Sequence, residues 1–67
     1  MNSSQNPGFQ FVRDDDEYAV WLAGDLLGWV RRLPGYGGSF WRAFDIDGRV
    51  AGSSFTSRLR AAQALDR

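Results

Sequence analysis

The 67-residue chain contains no cysteine, no histidine and no lysine, so that all eight of its basic residues are arginine. The absence of cysteine excludes disulfides and thiolate nucleophiles. Without cysteine or histidine, the chain also cannot form the zinc sites that use thiolate or imidazole ligands. The absence of lysine fits a GC-rich genome. A GC-rich genome alone is enough to produce this count, and the other interpretation is a surface that uses guanidinium groups for bidentate contacts to phosphate, guanine or carboxylate.

Long apolar runs are also missing from the chain. No stretch approaches the ~20 apolar residues that a helix needs to cross a bilayer. Residues 1–11 show neither the basic start nor the apolar stretch of a signal peptide. We therefore expect a cytoplasmic protein that does not act in a membrane.

The residue types that enzymes use as acids, bases and nucleophiles are scarce. Ser53 and Ser54 have no histidine to activate them, and the glycine-rich residues 33–39 are not followed by the GK[ST] of a phosphate-binding loop. The acidic run at 14–17 lacks the ligand spacing of an EF-hand. We expect no enzymatic activity, no metal site and no other cofactor.

Aromatic side chains, in contrast, are frequent: the chain has three Trp, five Phe and two Tyr. Each buried ring removes ~150–250 Å² from water. This matters because so short a domain buries only ~60% of its unfolded surface. A second copy of the chain could add to that burial, so a homodimer is one possible assembly.

Alternation of apolar and polar residues predicts strands in the segments YAVWLA (18–23), LLGWVRR (26–32), FWRAFDI (40–46) and RVAGSSF (49–55). The last two are joined by Asp47-Gly48, which favours a hairpin turn.

The segment TSRLRAAQALDR (56–67) predicts a helix capped by Thr56 or Ser57, with Leu59, Ala62 and Leu65 on its buried side. The predicted fold is α+β, a three- to four-stranded antiparallel meander with one C-terminal helix packed on one face. It forms a single domain over residues 18–67, preceded by a flexible polar and acidic N-terminal arm, residues 1–17.

The two faces of this sheet are expected to differ. If Asp47-Gly48 is a two-residue turn, Phe44 pairs with Ala51 and Phe40 with Phe55, and this row faces the helix. Trp41 then lies on the second face.

In the first hairpin Trp21 and Trp29 are expected on opposite faces, while Arg42 is a misfit in the helix-facing row. One helix cannot cover both faces of a sheet. The second face is therefore expected to be an interface, or to be covered by the segment GFQFV (8–12).

Aromatic and basic side chains are the candidates for contacts at that second face and its edge, and an acidic run is a second candidate patch. The aromatic and basic candidates are Trp29, Arg31, Arg32, Trp41, Arg42 and Arg49. The acidic candidates, in the arm, are Asp14, Asp15, Asp16 and Glu17. The charges are also unevenly distributed along the chain: the net charge of residues 1–30 is −4, and that of residues 31–67 is +4.

The segments GWVRRLP (28–34), FWRAF (40–44) and FTSRLRAAQALDR (55–67) together resemble the AP2-like DNA-binding domain. That family includes plant AP2/ERF factors and the arm-binding domains of phage and transposon integrases. The resemblance covers residues 27–67. It implies a three-stranded sheet that is backed by a helix and lies in the DNA major groove.

Carried over to this chain, the resemblance makes Arg31 a groove-contacting residue and Trp41 the aromatic of the second strand. The chain departs from the family pattern at four points, which include a longer loop before Trp41 and one extra residue in GSSF (52–55). Trp29 is inserted between Gly28 and Val30, and Leu33 stands where the family has a second contacting arginine. These departures put the groove contacts in doubt.

Composition ranks two functions for such a domain. A net charge of zero speaks against backbone binding to nucleic acid, which depends on neutralised phosphates. The favoured function is a small non-enzymatic binding protein, phage or mobile-element encoded. It would act as an inhibitor or adaptor by binding a host or competitor protein through the sheet face and the acidic arm. The alternative is an AP2-like DNA-binding module that places Arg31, Arg32 and Arg42 in the major groove.

Overall fold

A computed structural model describes residues 8–66 of the chain. Within them, five antiparallel strands lie side by side in chain order and a helix follows the last strand. The elements are β1 (Phe9–Asp14), β2 (Glu17–Leu22), β3 (Asp25–Gly35), β4 (Gly38–Asp45), β5 (Val50–Phe55) and α1 (Arg58–Leu65). The predicted α+β class, antiparallel meander and C-terminal helix are confirmed, and the sheet has five strands where three or four were expected.

The additional strand is β1, which lies within the residues that the sequence assigned to an arm. Phe9 is only 4% exposed and belongs to the core, and this burial holds the strand against β2. The turn to β2 is formed by Asp15 and Asp16, and Asp15 has a φ of 63°, a conformation that aspartate tolerates. Charge repulsion in the acidic run therefore does not prevent a hairpin. Residues 1–7 of the predicted arm lie outside the described residues.

The core lies between α1 and one face of the sheet. Val20, Val30 and Ala43 of the sheet are fully buried against Ala61 and Ala62 of the helix. Alanines at these positions let the helix approach the strands closely.

The start of the helix also agrees with the sequence. Ser57 is the N-cap, and its Oγ accepts a hydrogen bond from the Arg60 N–H at 3.2 Å. Leu65 packs against the core. Leu59, predicted to be buried, is 39% exposed.

A β-bulge in β3 decides which side chains share a face. Val20 pairs with Gly28 and Trp21 pairs with Leu26, so one extra residue of β3 lies between these two pairs. Ala19 pairs with Trp29 and is two residues from Trp21. Both tryptophans therefore lie on the same face, and the prediction that they lie on opposite faces is wrong.

The β4–β5 turn is longer than the predicted two residues, because Asp45 organises it. Its Oδ1 accepts hydrogen bonds from the N–H groups of Asp47 and Arg49, each at 2.9 Å. The Asp45 N–H donates to the Arg49 carbonyl at 2.8 Å, and the first sheet pair beyond the turn is Phe44 with Val50.

This turn shifts the register by one residue, which exchanges the two faces of β4. Next to the turn the observed pair is Ala43 with Ala51, and beyond an irregularity between Trp41 and Ala43 the pair is Trp41 with Phe55. The predicted row of Phe40, Arg42 and Phe44 therefore exists, but it lies on the face away from the helix.

Candidate functional site

The sheet face away from α1, which we call the open face, carries a set of large apolar side chains around two arginines. Strand alternation and register place nine side chains of β2, β3 and β4 there. They are Ala19, Trp21, Leu26, Trp29, Arg31, Leu33, Phe40, Arg42 and Phe44. Within residues 8–66 no helix or further strand packs across this face, and all nine side chains are only partly buried.

The centre of the open face is a pair of arginines. Arg31 of β3 lies directly opposite Arg42 of β4, and the rungs on either side are Trp29 with Phe44 and Leu33 with Phe40. Like charges that lie directly opposite each other destabilise a strand pair. The Arg31–Arg42 pair therefore does not stabilise the pairing of β3 with β4.

The two guanidinium groups have incomplete hydrogen bonding. Arg31 Nη2 donates to Asp16 Oδ1 at 3.2 Å, in an exposed ion pair, and Arg42 Cζ lies 5.3 Å from the centroid of the Phe40 ring. The Nε of each arginine is inaccessible to solvent and has no hydrogen-bond partner in the described structure. A buried donor without a partner costs ~1–3 kcal/mol, and an outside acceptor that draws the guanidinium outward would relieve that cost.

Two carboxylates lie at the edge of the open face beside the arginine pair. Asp14 pairs with Glu17 at the end of the first hairpin, and Glu17 pairs with Arg31 across β2 and β3. Both acidic side chains project on the open side of the sheet. Together with Asp16, which is ion-paired with Arg31, three carboxylates lie near the two arginines of the open face, whereas a surface that binds nucleic acid is normally strongly basic.

The structure separates the side chains that the sequence grouped as contact candidates. Trp29, Arg31 and Arg42 lie together on the open face. Trp41 lies on the helix side, where it packs against the core with its ring centroid 6.0 Å from that of Tyr18, so its predicted place on the second face is wrong. Its pairing partner on β3, Arg32, lies on the helix side as well.

The remaining candidates lie at turns. Arg49 is exposed in the turn between β4 and β5, away from the arginine pair. Asp15 and Asp16 form the β1–β2 turn.

The suggestion that the segment GFQFV covers the second face is also wrong. Residues 9–12 of this segment form most of β1 at the edge of the sheet, and Phe9 and Phe11 pack with the helix-side core.

Sequence reasoning missed six apolar members of the open face: Ala19, Trp21, Leu26, Leu33, Phe40 and Phe44. The sequence shows that they alternate with core residues. Because both faces of β4 carry large side chains, this alternation does not indicate which face packs against the helix. A one-residue change of register moves a whole row of side chains to the other face. The available signal was Ala43, since a small residue opposite the alanines of α1 fits a closely packed helix.

Residues 8–66 contain no group of three or more acidic, histidine or cysteine side chains placed to hold a metal ion. Across the same residues, no helix combines the length and the apolar character needed to cross a membrane.

A scan against protein-family models finds no match to this chain, and searches of curated proteins and of solved structures find none either. The AP2-like resemblance therefore rests on its three sequence segments alone.

Proposed function

We propose that this chain is a non-enzymatic binding module that holds a partner protein against its open face. The observation that carries the proposal is the Arg31–Arg42 rung, with its two unpartnered Nε atoms, set between rungs of partly buried aromatic and aliphatic side chains.

The composition of the open face suits protein recognition. Energetic hot spots of protein interfaces are rich in Trp, Tyr and Arg and lie in the middle of a patch that excludes water. Trp29 and the two arginines have this arrangement, with Phe40 and Phe44 beside them on β4. A partner that covers the partly exposed rings gains ~25 cal/mol for each Å² of apolar surface that it buries.

The charges of the open face indicate the chemistry of the partner. A carboxylate set in an apolar surface would accept hydrogen bonds from both guanidinium groups. Basic residues at the rim of the partner would face Asp14 and Glu17, which lie on the same side of the sheet. Since the module contributes no reaction of its own, it acts by occupying or bridging surfaces, as an inhibitor or adaptor does.

The proposal can be tested by selecting displayed random peptides on the immobilised chain, beside a selection of random DNA duplexes. We expect peptides that combine an acidic residue with aromatic or aliphatic ones. Trp29→Ala should weaken their binding at least about tenfold, as the loss of a hot-spot residue does. Tyr36→Ala is the matched control because Tyr36 is fully exposed at the β3–β4 turn, and it should bind as the unaltered chain does.

Equal loss of binding in both variants, or enrichment of duplexes and no peptides, would contradict the proposal. Gel filtration of the same chain tests self-association through the open face, and a single monomer peak at micromolar concentration is expected.

DNA binding is the second candidate, because one observation favours it. Arg31 and Arg42 lie on the sheet face opposite the helix, which is the face that the AP2-like resemblance assigns to the major groove. Under this alternative, duplex affinity falls steeply between low and physiological salt, and Arg31→Ala costs ~1–3 kcal/mol of binding without unfolding the domain. The carboxylates of Asp14 and Glu17 on the same side would repel phosphates, so protein recognition remains the preferred function.

A further inference from the structure

Three arginines line a cavity on the helix side of the sheet. The cavity measures about 320 Å³. It is lined by Arg13, Asp16, Tyr18, Arg32, Trp41 and Arg58. It lies where the first residue of α1 meets the ends of β1 and β2, beyond the part of the helix that covers the core.

Positive charge prevails in this cavity, which has three guanidinium groups and one carboxylate. That carboxylate, Asp16, is already paired with Arg31 at 3.2 Å. Arg32 and Arg58 form no ion pair with any residue from 8 to 66. The lining therefore has a formal charge of +2.

Two of the guanidinium groups are held in place by neighbouring groups. Arg58 Cζ lies 4.5 Å from the ring centroid of Phe11 and 4.8 Å from that of Tyr18. Arg13 Nε donates to the Asp15 carbonyl at 3.2 Å, and its Cζ lies 6.0 Å from the Tyr18 centroid. Groups that are oriented before binding lose less conformational freedom when a ligand arrives.

We propose that this cavity binds a dianionic phosphate group. At pH 7.5 a phosphate monoester, whose second pKa is ~6, carries close to two negative charges, and it offers several acceptor oxygens in a tetrahedral arrangement. Inorganic phosphate offers the same arrangement of oxygens and is mainly a dianion at that pH. Three arginines can donate to such an anion together, whereas a monocarboxylate offers two oxygens and half the charge. The rings of Tyr18 and Trp41 form the apolar part of the lining, beside which an organic carrier of the phosphate can pack.

The test is an NMR titration of the full chain at pH 7.5 with inorganic phosphate, with phenyl phosphate and with acetate, at constant ionic strength. The readout is the indole N–H signal of Trp41, which lines the cavity. We expect both phosphates to shift this signal with a Kd of about 1 mM or below, and acetate to shift it much less. Tighter binding of phenyl phosphate assigns the site to a phosphate carried on an aromatic group, and equal binding assigns it to the free ion.

Arg32→Gln is the decisive variant because Arg32 lines the cavity and forms no ion pair in the described structure. It should weaken phosphate binding at least about threefold while leaving the thermal unfolding midpoint unchanged. Arg49→Gln removes the same charge from an exposed turn outside the cavity and should have no effect on binding. The proposal fails if neither phosphate shifts the Trp41 signal, if acetate binds equally well, or if both variants weaken binding alike.

Discussion

At the scale of single residues, Arg42 shows most clearly that the open face is not arranged for stability. Its side chain lies opposite Arg31 and beside the Phe40 ring, with Nε buried and without a partner. Alternation in FWRAFDI was enough to group Arg42 with Phe40 and Phe44. It could not reveal the arginine opposite, because that pairing depends on the register of two strands.

We predict that Arg42→Leu raises the free energy of unfolding by about 1 kcal/mol. Leucine keeps apolar contact with the neighbouring rings and removes both the like-charge repulsion and the buried donor. Arg60→Leu, at an exposed position of α1, is the control and should stay within about 0.5 kcal/mol of the unaltered chain. Urea unfolding followed by tryptophan fluorescence measures both, and a clear loss of stability in Arg42→Leu would show that this arginine serves the fold.

At the scale of elements, the strands and the helix were largely predictable, and the faces of the strands were not. The helix was visible in its Ser57 cap and its alanines, and the β4–β5 hairpin in Asp47-Gly48. β1 was missed, because its residues were assigned to the N-terminal arm. The faces depend on two local features, the Asp45 hydrogen bonds in the β4–β5 turn and the bulge at Gly28. Each of them shifts a register by one residue, and neither changes the alternation of the sequence.

Gly28 lies at the bulge and in close contact with the backbone of β4. We predict that Gly28→Ala lowers the free energy of unfolding by more than about 2 kcal/mol. Its φ is +151°, and an added Cβ would lie 2.1 Å from the Phe44 carbonyl oxygen. Gly24→Ala is the matched control, since Gly24 has a φ of +85° and no atom within 4 Å of an added Cβ. It should lose only about 1 kcal/mol, and equal losses in the two variants would contradict the close contact with β4.

At the scale of the whole molecule, a net charge of zero conceals two surfaces of different character. The helix-side cavity is positive, and the two arginines of the open face lie near the carboxylates of Asp14, Asp16 and Glu17. The sequence showed an acidic first half and a basic second half. It could not show that β-pairing places Glu17 beside Arg31 or gathers Arg13, Arg32 and Arg58 around one cavity, because these contacts join strands and a helix that are distant in the chain.

The most direct test of the open face as a protein-binding surface is an NMR titration of the labelled chain with the tightest peptide from the selection. We predict that shifts concentrate on β3 and β4, with the indole signals of Trp21 and Trp29 and the side chains of Arg31 and Arg42 among the largest. The Trp41 indole, on the helix side, should move little. Shifts centred on α1 and Trp41, with the signals of Trp21 and Trp29 unchanged, would contradict the account.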